Sequence, residues 1–133
     1  MVVLSSAYEI EKRVDEMAAV IAQEFAGKPL AIIGVATGAF LFMAYLDIVD
    51  TGITLSTLVA HFGTKDVASF SVCTLLDKPS RRTVPLQLGA GGKYYRGFQC
   101  FHEFVVGYGM DYAEQYRCLP YIGVLKLHIY TKN

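Results

Sequence analysis

Apolar side chains at Ile10, Val14, Met17, Ile21 and Phe25 recur at three- and four-residue intervals, which predicts an N-terminal helix with one buried stripe. Ser6 and Glu9 have capping-box spacing ahead of it, and Gly27 with Pro29 supplies a stop. The pattern then changes period. Residues 30–36 (LAIIGVA) form a continuous, partly β-branched run, as expected of a strand covered on both faces and ended by the Thr37-Gly38 turn. Residues 54–62 return to helical spacing through Leu55, Leu58, Val59 and Phe62. Residues 67–76 (VASFSVCTLL) predict a second buried strand, and residues 94–98, 104–107 and 121–126 predict shorter ones. Gly89 to Gly92 marks a turn between strands. Helices and strands alternating in this way predict an α/β fold on a mostly parallel sheet.

Composition narrows the setting. A chain of 133 residues without repeats or low-complexity linkers predicts one domain over residues 1–133. With 53% hydrophobic and 18% charged residues, it has enough apolar surface for a filled core. Twelve basic residues cancel twelve acidic ones, so no net field points to nucleic acid or an anionic membrane as partner. The longest apolar stretch, residues 39–46, is too short to span a bilayer, and the N-terminus lacks the order of a signal peptide. Cys73, Cys100 and Cys118 are odd in number and share no motif spacing, so reduced thiols and a cytoplasmic setting are expected. Cys100-Phe101-His102 is a weak metal half-site; a packed thiol beside a surface imidazole is the favoured reading.

The most informative segment is residues 46–55, LDIVDTGITL. Asp47 and Asp50 precede Thr51, Gly52, Ile53 and Thr54, and an amphipathic helix follows. A loop of small and hydroxyl residues at a helix N-terminus offers free backbone N–H groups and a positive dipole end, which together capture a phosphate. Gly52 permits close approach, and Thr51 and Thr54 add hydroxyl donors. The acids would then face sugar hydroxyls or a metal ion. An ordinary helix N-cap, with Asp50 or Thr51 capping, suits the same residues.

The segment resembles the phosphoribosyl pyrophosphate signature of type I phosphoribosyltransferases: two acids around an apolar pair, then D-T-G-x-T. Residues 33–42 (IGVATGAFLF), 71–82 (SVCTLLDKPSRR), 103–117 (EFVVGYGMDYAEQYR) and 119–126 (LPYIGVLK) extend the likeness, which is to hypoxanthine-guanine phosphoribosyltransferases and nearest to bacterial and plant forms. The resemblance implies transfer of phosphoribosyl from phosphoribosyl pyrophosphate to hypoxanthine or guanine, giving IMP or GMP and pyrophosphate. It implies a type I phosphoribosyltransferase-like sheet flanked by helices, Mg2+ as cofactor and a homo-oligomer.

Its implied roles fall on individual residues. Asp50 becomes the candidate general base at the purine, Asp47 a ribose contact, and Thr51, Gly52, Ile53 and Thr54 the 5′-phosphate site. Lys78 would donate to the 6-oxo group, Phe104 stack on the base, and the Val105 backbone meet the purine edge. Thr37 and Gly38 occupy the place of the pyrophosphate loop, Arg117 that of a pyrophosphate contact, and Asp111 that of the acid near magnesium. Without the resemblance, Lys78 reads as a solvated lysine before Pro79, Phe104 as core, and Asp111 with Arg117 as a surface pair.

The chain also departs from that family. Residues 42–45 lead straight into Leu46-Asp47, so central strands and the mobile loop that closes over the reacting groups are missing near residues 44–47. Leu46 stands where another acid is usual, Phe101-His102 where a proline and an acid are usual, and Leu127-His128 covers a usual proline. Parallel strands need a crossover of about a dozen residues, so a helix and a strand do not both fit before Asp47. Retained helix formers favour a helix over residues 40–46, which would leave the phosphate loop without its supporting strand. The alternative to an active transferase is a truncated product that binds nucleotide or pairs with a full-length subunit.

Overall fold

The computed structural model describes residues 1–34, 46–65 and 67–131, and the backbone alone at Leu46 and Asp47. The expected N-terminal helix is present as α1, Ala7–Glu24. Ser6 caps it through the Glu9 N–H, and the Glu9 carboxylate returns a bond to the Ser6 N–H at 2.8 Å. The Ser6 hydroxyl also donates to that carboxylate at 2.7 Å, and it and the Ser6 N–H hold Glu9 below the usual carboxylate range. Replacing Ser6 with alanine removes half of this exchange; a loss of about 1 kcal/mol in urea unfolding is the expected result.

The strands form two sheets. One is antiparallel, with β1 (Val2–Ser5) and β5 (Val105–Val106) on either side of β6 (Ile122–Val124). The other is parallel, with β2 (Leu46–Val49) and β4 (Tyr94–Gln99) on either side of β3 (Val72–Asp77). Helix α2 (Ile53–Gly63) makes the crossover from β2 to β3, and a short α3 (Leu127–Tyr130) ends the described chain.

Burial explains this order. The central strand β3 has all but one of its six residues buried. Leu75 and Leu76 share a core with Ile10 of α1, Cys100, Val105, Met110 and Ile122, which joins the two sheets. In a second cluster Val49, Leu55 and Val72 pack with Val59, Phe70, Leu86 and Leu88 beneath α2. Arg13 of α1 donates from Nε to the Gly97 carbonyl at 3.0 Å, while Glu24 accepts from Lys93 and from the Tyr95 hydroxyl, fastening α1 to β4.

Four sequence expectations change. The parallel pairing of β3 with β4 is as expected of a mostly parallel sheet, but the later strands build a separate antiparallel sheet. The strand predicted over residues 67–76 begins only at Val72, because its partner β4 begins opposite it at Tyr94. The run predicted as a strand over residues 30–36 is neither strand nor buried where it is described: Leu30, Ile32 and Ile33 are 49%, 59% and 52% exposed. A β-branched run becomes a buried strand only when a neighbouring strand and a covering layer are available, and residues 30–34 have neither among the described residues. Residues 35–45, including most of the predicted 40–46 helix, lie outside the description. Leu46, however, opens β2, so the loop that follows keeps a supporting strand, contrary to expectation.

Candidate functional site

Parallel sheets gather ligands at the carboxyl ends of their strands, where backbone groups run out of partners and loops converge. Here β2 ends at Val49 and β3 at Asp77, and the two residues stand opposite each other in the register. The Lys78 N–H continues the ladder to the Val49 carbonyl at 2.9 Å, and the Cys100 N–H does the same to the Asp77 carbonyl at 2.9 Å. The loop after β2 and Lys78 after β3 therefore emerge side by side. Five residues that sequence spacing had joined only along the chain, Asp50, Thr51, Gly52, Ile53 and Thr54, come together with Lys78 from a distant segment.

The loop itself is tight. Gly52 is the N-cap of α2 with φ of +85°, and it provides no capping side chain. The reading in which Asp50 or Thr51 caps the helix does not hold. Asp50 instead points its Oδ1 to Arg81 Nε at 2.6 Å, and Thr51 Oγ1 reaches the Ile53 N–H only at 3.5 Å. The first N–H groups of α2 thus remain for an external acceptor, beside a positive dipole end.

Lys78 is not the solvated lysine that composition favours. It is 6% exposed, its stem packed at the sheet edge, and its ammonium makes no hydrogen bond to a described residue while keeping access to solvent. That leaves a strong donor beside the phosphate loop. Phe104 and Val105 follow β4: Val105 is buried in the core that contains Leu76 and Cys100. Phe104 is half-buried, with its ring 5.3 Å from those of Tyr112 and Tyr130 and its carbonyl accepting from the Leu125 N–H at 2.8 Å.

The remaining sequence candidates stand differently. Thr37 and Gly38 lie outside the described residues, and the side chain of Asp47 is not described. Asp111 and Arg117 pair with each other at 3.0 Å on the loop between β5 and β6, and Asp111 also accepts the Glu114 N–H at 2.8 Å. No described contact joins that pair to the phosphate loop.

Among the described residues no group of three His, Cys, Asp or Glu side chains is placed to hold a metal. Magnesium commonly takes one or two carboxylates and completes its shell with substrate phosphates. The half-exposed Asp111 carboxylate retains lone pairs beyond its two bonds and fits that limited role. Cys100 is buried, and that burial pushes its thiol above its ordinary pKa, in keeping with a packed thiol.

Sequence reasoning missed Asp77, Arg81, Arg82 and Thr83. The Thr83 and Val84 N–H groups both donate to the Thr51 carbonyl, at 3.0 and 3.2 Å, and Arg82 Nε donates to the Asp50 carbonyl at 3.4 Å. The available signal was three cations within residues 78–82, directly after an acid. A cavity of about 570 Å³ also lies between α2 and residues 84–90, lined by Val59, Phe70, Val84 and Leu88, but no charged side chain among the described residues faces it.

No protein-family model matches the chain. Among characterised proteins it is similar to the hypoxanthine-guanine phosphoribosyltransferase of Staphylococcus epidermidis, 31% identical over 177 residues, covering 98% of this chain and 96% of the relative. It is likewise similar to that of Bacillus subtilis, 36% identical over 176 residues, with 96% and 94% covered. Both aligned spans exceed the 133 residues of this chain, so each match is made across a gap. Among solved structures, a hypoxanthine-guanine phosphoribosyltransferase from Bacillus anthracis superposes with a TM-score of 0.84 at 31% identity, covering 95% of this chain and 98% of the other.

Proposed function

We propose, for a chain that belongs to the hypoxanthine-guanine phosphoribosyltransferase family, that the carboxyl edge of β2 and β3 is a nucleotide site for purine salvage. The reaction is transfer of 5-phosphoribosyl from phosphoribosyl pyrophosphate to hypoxanthine or guanine, yielding IMP or GMP and pyrophosphate. The observation that carries this reading is the uncapped Gly52 helix start set beside the Lys78 ammonium, which bonds to no described residue, across the β2–β3 register.

Thr51, Gly52, Ile53 and Thr54 hold the 5′-phosphate with backbone N–H groups and hydroxyls, and this remote binding places the reacting sugar carbon. Asp47 takes the ribose hydroxyls. Asp50 accepts the purine proton on the carboxylate oxygen that Arg81 does not occupy. Lys78 donates to the 6-oxo group, Phe104 stacks on the base, and the Val105 backbone meets the purine edge. Arg117, with Thr37 and Gly38, receives the pyrophosphate, for which Arg117 must leave Asp111. Asp111 would hold Mg2+, which supplies charge neutralisation for the leaving pyrophosphate. A cytoplasmic setting agrees with three free cysteines, and a homo-oligomer is the assembly that the family resemblance implies.

A second reading has its own support. The gap in both alignments, together with exposed residues 30–34, favours a chain that binds nucleotide but turns over slowly. Misplacing reacting groups by about an ångström costs on the order of 10²-fold in rate. Conversion of hypoxanthine to IMP is expected to be slower than in the Bacillus subtilis relative by at least that factor, and equal turnover would refute the slow reading. Binding is tested separately. GMP at about 100 times its Kd is expected to stabilise the fold by about 2.7 kcal/mol in thermal unfolding, and no shift at millimolar GMP would overturn the site.

A further inference from the structure

Among the described residues Asp77 is the buried carboxylate, 2% exposed, and none of the roles above uses it. Its Oδ1 accepts from Arg82 Nη2, and its Oδ2 lies 3.4 Å from Arg96 Nη1. Thr74 and the Tyr94 hydroxyl, 3.2 Å apart, close the same buried network, and burial pushes the Tyr94 hydroxyl upward in pKa. A carboxylate withdrawn from water in this way is retained only with well-made partners, and a guanidinium fork holds them in fixed directions.

Arg82 carries that rigidity to the phosphate loop. While Nη2 is held by Asp77, Nε faces the Asp50 carbonyl at 3.4 Å. The Arg82 side chain also lies under Gly52, where a Cβ would stand 2.7 Å from Arg82 Cδ. The next two residues, Thr83 and Val84, pin the Thr51 carbonyl. The two peptide units that lead into Gly52 are thus oriented from the 82–84 segment. Turning those carbonyls toward Arg82, Thr83 and Val84 leaves the α2 N–H groups facing the opposite, ligand side.

We infer that Asp77 and Arg82 are positioning residues: a buried ion pair that sets the shape of the 5′-phosphate loop and so the preference of this site for a phosphorylated ligand. The inference deepens the proposed nucleotide site and rests on it. Arg82 touches no ligand in this scheme; it acts through the backbone of Asp50 to Gly52.

The test compares GMP with guanosine, which share a base and differ in the phosphate, by titration calorimetry on the full chain. In Arg82→Lys, which keeps the charge but loses the fork, and in Asp77→Asn, GMP is expected to bind about tenfold more weakly or worse, with guanosine changed less than about twofold. Parallel losses of both ligands, or a GMP-to-guanosine preference like that of the parent chain, would overturn the inference. Arg82→Lys retains a cation opposite Asp77, so it decides the matter if Asp77→Asn unfolds. A parent chain that fails to prefer GMP over guanosine would instead sink the phosphate-site reading itself, and the positioning role with it.

Discussion

Gly52→Ala is expected to cost about 3 kcal/mol of stability and to weaken GMP binding on the order of 100-fold. Two separate penalties meet at this position. With φ at +85°, any side chain forces a left-handed backbone that costs about 1–2 kcal/mol for an L-residue. The added Cβ would also stand 2.7 Å from Arg82 Cδ and 2.8 Å from the Val84 carbonyl oxygen. The arginine could swing away only by leaving Asp77, and Val84 could retreat only by breaking its bond to Thr51. Gly89 separates the two penalties. It has φ of +73° and nothing within 4 Å of an added Cβ. Gly89→Ala is therefore expected to cost only about 1 kcal/mol and to leave GMP affinity unchanged. Thermal unfolding and calorimetry on the two variants check this; equal losses of stability would mean that strain alone, not the packed underside of the loop, makes Gly52 necessary.

How far the sequence discloses such a site depends on the distance over which its contacts act. Helix α1 is legible because stripe, capping box and stop are all local, within three or four residues of one another. The segment Asp50 to Thr54 is legible for the same reason: a turn and a helix start are written in adjacent residues. Residues 30–34 are misread because a β-branched run specifies a capacity to pair, while the pairing needs a neighbour elsewhere in the chain. The antiparallel sheet is partly hidden for a related reason. β1 has only four residues, three of them exposed, so no alternation announces it before Val3 meets Gly123.

The missing part of the site follows the same rule. Arg81 meets Asp50 at a sequence separation of 31, and Arg82 meets the Asp50 carbonyl at 32. Neither contact exists until Val49 is in register with Asp77. Residues 78–82 place three cations after a strand, but no spacing rule assigns one to the helix start, another to a loop acid and a third to a buried partner. That division is made by the sheet. Lys78 emerges beside the open helix start, Arg81 faces out to Asp50, and Arg82 turns inward to Asp77.

Lys78→Met follows from that division and is expected to separate stability from recognition. The Lys78 N–H is fixed by its bond to the Val49 carbonyl, which any side chain preserves. The lysine stem is buried, yet the ammonium keeps access to solvent and bonds to no described residue. Methionine fills nearly the same path, so unfolding free energy is expected to change by less than about 0.5 kcal/mol. The ligand loses much more. A hydrogen bond from a charged donor to the purine 6-oxo group contributes about 1.5–3 kcal/mol, so IMP and GMP are expected to bind roughly 10- to 100-fold more weakly. AMP carries a 6-amino group that cannot accept from lysine, and its weak binding should be nearly unaltered. The parent chain would thus discriminate 6-oxo from 6-amino nucleotides, and the variant would not. A variant that still prefers IMP over AMP by the parental ratio would remove Lys78 from base recognition. A variant destabilised by several kcal/mol would show that the ammonium supports the sheet edge after all.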